Sequence, residues 1–551
     1  AERLAALRAP EGAVRAKDYR HALREVITHC VYGVDRNPMA LELARFALWL
    51  EGFEEGRPLG FLDHHLVCGD ALIGITDVGQ LAHGIPDAAF KPLSGDDKAV
   101  CKALAKQNKD GLKAFAKRKA DTNLPLALER DSLLVERAAL EAMPDETLAQ
   151  QAAKQAAWER YAAQERASRL QQAADLFVGA FLSPKTAPQD VEHTPTSQNL
   201  YLALVTDQAP EELVQAKQAE RLAQATQRAR EARVLHWPLA FVQVFQKGGF
   251  DCVLGNPPWE RIKLQEEEFF ATENRLVAQA KNKAERSQRI QWLSEGMLAQ
   301  HLFPGDTSHH SPAESEAERR LYEEFITARR TAEAASLFAH VKGEDGGRYP
   351  LMGVGDVNTY ALFAETISQV TKAAGRAGFI VPTGIATDDG TKAYFGHITQ
   401  SERLVSLYDI ENREKLFASV DSRMKFCLLT LGQAEKTEFV CFATQVSQLA
   451  DPRRRFTLTP GDFRLINPNT LTCPMFRSGR DADLTKKLYR SAPVLVDENK
   501  PDGNPWGLSF MRMLDMSNDS HLFADVPGPG LLSLYEAKLI HHFDHRWATY
   551  T

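Results

Sequence analysis

A short apolar run that ends in two consecutive prolines constrains this chain more than any other stretch. Phe250-Asp251-Cys252-Val253-Leu254-Gly255 reads as a buried strand, and Asn256-Pro257-Pro258-Trp259 follows it directly. Proline fixes φ and lacks an N–H, so neither a strand nor a helix runs through such a pair. The chain must leave the sheet there in a stiff turn. In open α/β folds that C-terminal sheet edge is where ligands and chemistry collect. The turn carries one polar side chain, Asn256, and one aromatic plate, Trp259.

Those residue types suit one kind of chemistry. The exocyclic amine of a nucleobase is a poor nucleophile, because its lone pair is delocalised into the ring. The Asn256 side-chain oxygen and the Pro257 carbonyl could accept from its two N–H bonds and draw the nitrogen toward a pyramidal, nucleophilic geometry. Trp259 could stack on a base that has left its helix. Positioning and electrostatics would carry most of the rate, with no general base of shifted pKa. A plain Pro-Pro turn with a packed Trp has the same sequence, so the surroundings must decide.

Two acidic strand ends supply those surroundings. His29 to Val34 predicts a strand that Asp35 ends. Asn37 is a good N-cap and Pro38 a good first helical residue, and the helix they open puts Met39, Leu43, Phe46 and Leu50 on one face. An acidic side chain at a strand end beside a helix N-terminus is placed to hold ribose hydroxyls, although an Asp capping its own turn looks alike. Leu66 to Leu72 predicts another short strand, with Asp70 just past it, and Gly69-Asp70 is also common turn chemistry. His64 and His65 are adjacent, and neighbours on a strand point to opposite faces. They are expected to be solvated or packed polar residues and not a metal pair.

Composition excludes several classes. The 551 residues carry a formal net charge of -7, which argues against the whole surface binding nucleic acid and leaves room for a local basic cleft. Seven cysteines with no Cys-x-x-Cys pair fit a reducing cytoplasm and exclude a zinc ribbon or disulfide scaffold. No apolar run reaches membrane-spanning length, and no signal peptide is present. Gly353-Val354-Gly355-Asp356 lacks the rest of a dinucleotide fingerprint, and Gly384 to Lys392 has one residue too many for a phosphate loop. Arg453-Arg454-Arg455 is a small basic cluster, read as a solvated loop. His541 and His545 have metal-competent spacing on a helix, without an obvious third ligand. Ala1 to Leu7 reads as mid-helix and Trp547 to Thr551 stops without a polar tail, so the chain is expected to be a fragment of a longer protein.

Gly255-Asn256-Pro257-Pro258-Trp259 resembles the catalytic motif of gamma-class N6-adenine DNA methyltransferases. The wider likeness, over most of residues 1–80 and 236–435 and again near 534–551, resembles the large methylases of type IIG restriction–modification and related phage-defence systems. The resemblance implies a Rossmann-like α/β sheet that binds S-adenosylmethionine (SAM) and methylates adenine N6 in double-stranded DNA. It implies that Asp35 holds the SAM ribose, Asp70 the SAM adenine amino group, and Phe363 the adenine ring. Asn256, Pro257, Pro258 and Trp259 become the catalytic residues, with Trp259 and Phe417 stacking on the flipped base. The family's glycine-rich SAM loop precedes the residue that Asp35 matches, yet Gly12 is the only glycine between residues 1 and 29. The first strand and that loop are therefore expected upstream, and these 551 residues are expected to bind SAM poorly.

The domain reading follows. Residues 1–80 are the first part of a methyltransferase core, 81–235 a helical insertion read as a solvated hairpin, and 236–262 the catalytic strand and loop. Residues 263–350 form a second helical insertion, 351–435 the last part of the core, and 436–551 a linker and the start of a recognition domain. Alternatives are an RNA adenine, cytosine N4 or glutamine amide methyltransferase, a full restriction enzyme whose nuclease or specificity region lies elsewhere in the parent chain, and a non-catalytic DNA-binding module.

Overall fold

The computed structural model describes the chain except residues 9–13, 59, 120–125, 206–209, 306–310, 513, 516–517, 525, 535–536, 545 and 549–551. Contacts divide it into two units, Ala1–Pro493 and Val494–Thr551.

Two parallel strand pairs frame the first unit. β1 (Gly33–Asp35) and β2 (Leu66–Cys68) form one small sheet. β3 (Phe250–Gly255) lies parallel to β4 (Thr371–Pro382) at one edge of a second, six-stranded sheet. With β5 (Leu404–Glu411), β6 (Lys425–Leu431), β7 (Thr437–Ala443) and β8 (Phe456–Leu458), its order is β3-β4-β6-β5-β7-β8. β6 runs antiparallel to both neighbours, β5 and β7 are parallel, and β8 is antiparallel again. The α/β class holds, while the expected mostly parallel sheet is instead two sheets, the larger of them mixed.

β1 and β3 run the same way. Their C-terminal ends, Asp35 and Asn256, border one groove of about 720 Å³, and at the other end the Tyr32 and Phe250 rings meet with centroids 5.5 Å apart. Among the described residues neither of the two edges that face this groove pairs with another strand, and Leu254 is 80% exposed there.

The helices show where local pattern was a sufficient guide. α1 (Ala16–Cys30) takes up the start of the expected 29–34 strand, leaving only Gly33–Asp35 extended. α2 (Pro38–Glu51) begins as predicted, with the Asn37 side chain accepting from the Met39 N–H at 3.0 Å. Its covered face differs. Leu41, Ala44 and Leu48 pack with Ile27, Leu62 and Leu66, whereas Met39, Leu43, Phe46 and Leu50 are exposed. The helix has apolar residues on two faces, and only the neighbours decide which is buried.

The first insertion is not a solvated hairpin. It includes α3 (Leu126–Glu141), α4 (Leu148–Ala167), α5 (Arg169–Leu182) and α6 (Gln218–Glu231). The long helix expected from 146 breaks at Ser168, whose hydroxyl caps α5 by accepting from the Gln171 N–H at 3.2 Å. Residues Ala173 to Phe181 of α5 are all buried, and they join the same core as the strands of the large sheet. Gly179 permits the close approach of α6, since a Cβ there would lie 2.7 Å from that of Ala225.

The second insertion has a core of its own, built from Phe270, Val277, Leu293, Leu298 and Phe325. Its longest helix, α7 (Pro312–Ala339), leaves that cluster and ends with Phe338 and Ala339 in the main core. α8 (Thr359–Val370) then leads into β4. Past residue 435, where a linker was expected, β7 and β8 complete the large sheet, and the unit continues to Pro493.

In the second unit the expected helix over 534–547 is replaced by a short 3-10 turn, Ala537–Leu539, and a backbone bridge between His541 and Asp544. His541 leans on Trp547, and His545 lies outside the described residues. Among the described residues no helix is long and apolar enough to cross a membrane.

Candidate functional site

The acidic strand ends and the proline turn come together. A cavity of about 1160 Å³ is lined by Asp35, Asp70, Pro258, Trp259 and Phe363 together with part of α7. Asn256 and Pro257 line the adjoining groove, which shares Asp35, Pro258 and Phe363 with the cavity. Phe417 stands apart from these walls. It is 36% exposed and its ring lies 5.2 Å from that of Phe426, edge-on. Trp259 contacts the same Phe426 ring at 6.4 Å, so the two expected stacking residues are joined through a third aromatic.

Each acidic group is set by its own turn. Asp35 ends β1, and its Oδ1 accepts from the Asn37 N–H at 2.7 Å. Asp70 follows β2, with Oδ1 accepting from the Leu72 N–H at 2.9 Å and Oδ2 lying 3.6 Å from the Arg36 guanidinium. Neither side chain is saturated by these contacts, since a carboxylate has about four acceptor positions.

The turn after Asp70 is gripped from behind. Arg348 is buried and donates to the carbonyls of Gly74 at 3.0 Å and Ala71 at 2.6 Å. The Tyr349 hydroxyl donates to the Leu72 carbonyl at 2.8 Å. Burial pushes the Arg348 guanidinium below its ordinary range and the Tyr349 phenol up to about 12. Glu365 of α8 accepts from the Met352 N–H at 2.9 Å and the Leu351 N–H at 3.2 Å, which positions the segment just beyond. Burial raises its carboxyl to about 7, against the opposing pull of those two N–H donors.

The proline turn is held only at its far end. Thr359 Oγ1 donates to the Pro258 carbonyl at 2.8 Å and accepts from the Glu260 N–H at 3.1 Å. Asn358 reaches the Trp259 carbonyl at 3.4 Å, and the Trp259 indole N–H donates to the Ile380 carbonyl at 3.4 Å. The Asn256 side chain and the Pro257 carbonyl have no hydrogen-bond partner among the described residues. Both acceptors stand ready for an outside donor. Arg348, Tyr349, Asn358 and Thr359 carried no motif signal. Asn412, which ties down the Phe417 loop by donating to the carbonyls of Phe417 at 2.9 Å and Val420 at 3.0 Å, carried none either.

The histidine pair departs from expectation. His64 and His65 sit in the turn before β2, and both are fully buried. Their Nε2 atoms each lie 3.2 Å from a different oxygen of Glu141 on α3. Alternation along a strand does not apply in a turn, so adjacent side chains converge. Burial lowers His64 to about 4. Burial would raise the Glu141 carboxyl, but the hydrogen bonds from both histidines outweigh it and hold the group low. The three residues are close enough to hold an ion, but Arg137 already places its guanidinium 3.3 Å from the same carboxylate. Both Nδ1 atoms are buried without a partner, whereas a metal-bound histidine usually donates its second N–H to an outer acceptor. The cluster is a polar clamp between the β2 turn and α3.

Residues 29–291 match the family described as Eco57I restriction-modification methylase. That stretch is a restriction-modification methylase domain. It contains Asp35, Asp70 and the whole Asn256–Trp259 turn, so the matched sequence and the cavity's chemistry coincide. The methylase domain also spans all of the first insertion and the opening helices of the second, Glu266–Glu273 and Lys283–Glu295 among them. No curated protein matches the chain.

Proposed function

We propose that this methylase transfers the methyl group of SAM to the N6 amino group of adenine in double-stranded DNA. The observation that carries the reading is the unsatisfied pair of acceptors, Asn256 Oδ1 and the Pro257 carbonyl, beside a cavity that also holds two acidic strand ends. SAM supplies a methyl group activated by its sulfonium charge. Asp35 suits the donor's ribose hydroxyls, Asp70 its adenine amino group, and Phe363 the face of its purine. Asn256 and Pro257 accept from the target amine and hold its lone pair in line, and Trp259 presents an aromatic face to the flipped ring, each such stack being worth about 1–3 kcal/mol. Phe417 covers the base's other face after turning away from Phe426. The departing proton leaves through solvent, since the turn offers no base.

With side-chain contacts to the nucleoside end of the donor alone, these 551 residues bind SAM weakly in calorimetry, and tight binding would contradict that assignment. The reaction itself is tested by incubating the intact protein with SAM and unmodified duplex DNA, then digesting the DNA to nucleosides for mass spectrometry. N6-methyladenine is the expected product. N4-methylcytosine would keep the amine chemistry and change the base, and C5-methylcytosine or an unmodified digest would refute the reading.

A further inference from the structure

One wall of the catalytic cavity comes from the second insertion. Ala328, Thr331, Ala332, Ala335 and Ala339 of α7 border the same space as Asp70 and Trp259. Their spacing places them on one helical face, and every one is an alanine or a threonine. Elsewhere on the helix the side chains are large: Phe325 and Phe338 are buried in the two cores that α7 connects. The small face is therefore specific to the cavity and is not a property of the whole helix.

The first insertion holds this wall in place. Arg330 is ion-paired with the fully buried carboxylate of Asp96 and donates to the Ser183 carbonyl at 2.8 Å. Glu333 accepts from the Ser94 N–H and hydroxyl, both at 2.7 Å, and from Arg329 at 3.1 Å. A buried ion pair with matched hydrogen bonds sets geometry more than it adds stability. α7 cannot turn its small face away from the cavity without breaking that set.

The room also exceeds one ligand. Sites for a single drug-sized molecule occupy about 300–1,000 Å³, and this cavity encloses about 1160 Å³. We propose that the small face of α7 is the wall against which the acceptor nucleotide rests, with the first insertion as its buttress. This rests on the methyl-transfer reading and assigns that site's substrate side to an element outside the sheets. The side chains there are short because a sugar or base edge must pass close to the helix.

The test compares Ala332→Phe with Ala332→Ser in the intact protein, on unmodified genomic DNA, by methyl incorporation and by SAM calorimetry. Ala332→Phe is expected to lower kcat/KM for DNA at least 10-fold, while SAM affinity stays within about twofold and Ala332→Ser matches wild type in both. Ala328→Leu, on the same face, carries the same expectation should the Phe variant fail to fold. Wild-type transfer by both bulky variants would overturn the wall, and so would a loss confined to SAM affinity. A wild-type protein that incorporates no methyl group overturns the methyl-transfer reading, and the wall with it.

Discussion

The turn after Asp70 and the turn after Gly255 border one cavity, yet they are built differently. The first is bound from behind by buried groups: Arg348 on two carbonyls, Tyr349 on a third, and Glu365 on the next segment. The second is held by exposed or half-buried contacts at Pro258 and Trp259, and its leading residues, Asn256 and Pro257, are unengaged. The contrast separates two tasks. A turn that must present one carboxylate in one place gains from a satisfied polar network. A turn that must grip a moving substrate keeps its acceptors free and takes its stiffness from two prolines.

Breaking the network should do the most damage. Arg348→Met leaves the Ala71 and Gly74 carbonyls buried without a donor, at a cost of about 2–5 kcal/mol. Thermal unfolding should show a lower Tm, and SAM binding should weaken with it, because Asp70 is no longer held. An unchanged Tm would remove the claim that this turn is rigidly built.

A second effect is set by pH. Glu365 has a folded pKa of about 7 against an ordinary value of 4.5. Between those values the native state binds the proton more tightly than the unfolded state, so stability is fully present below about 4.5 and falls as pH rises toward 7. The change is about 3 kcal/mol in the limit of full burial. Denaturant unfolding at pH 5 and pH 8 should show the loss, and Glu365→Gln should flatten it. An equal slope in the variant would place the titrating group elsewhere.

The same comparison explains what could be read from the chain alone. Asp35, Asp70 and the Asn256–Trp259 turn were legible because each is announced by its immediate neighbours: a strand end, an N-cap, a proline pair. Arg348, Tyr349 and Thr359 were not, because their partners lie 277 residues away for the first two and 101 for the third. The face of α2 was misjudged since the period shows that a helix has apolar sides, not which one finds a neighbour. His64 and His65 were misjudged because a strand rule was applied to a turn. The apolar run from Leu176 to Leu182 was visible, but the polar composition around it concealed a core helix.

The smallest effect belongs to the second turn. Thr359→Val removes a hydroxyl that donates to Pro258 and accepts from Glu260. One hydrogen bond of about 1 kcal/mol corresponds to a fall in kcat of about fivefold, with SAM affinity unchanged. A shift in SAM affinity instead would show that the two turns are not independent.

The most direct test of this division of labour is Asn256→Ala in the intact protein, with SAM affinity measured by calorimetry and methyl transfer by single-turnover labelling of duplex DNA. The account predicts unchanged SAM affinity and a transfer rate lower by about 10²–10³-fold, the size found when one transition-state contact is removed. Wild-type transfer in that variant, or a loss explained by weakened SAM binding, would contradict it.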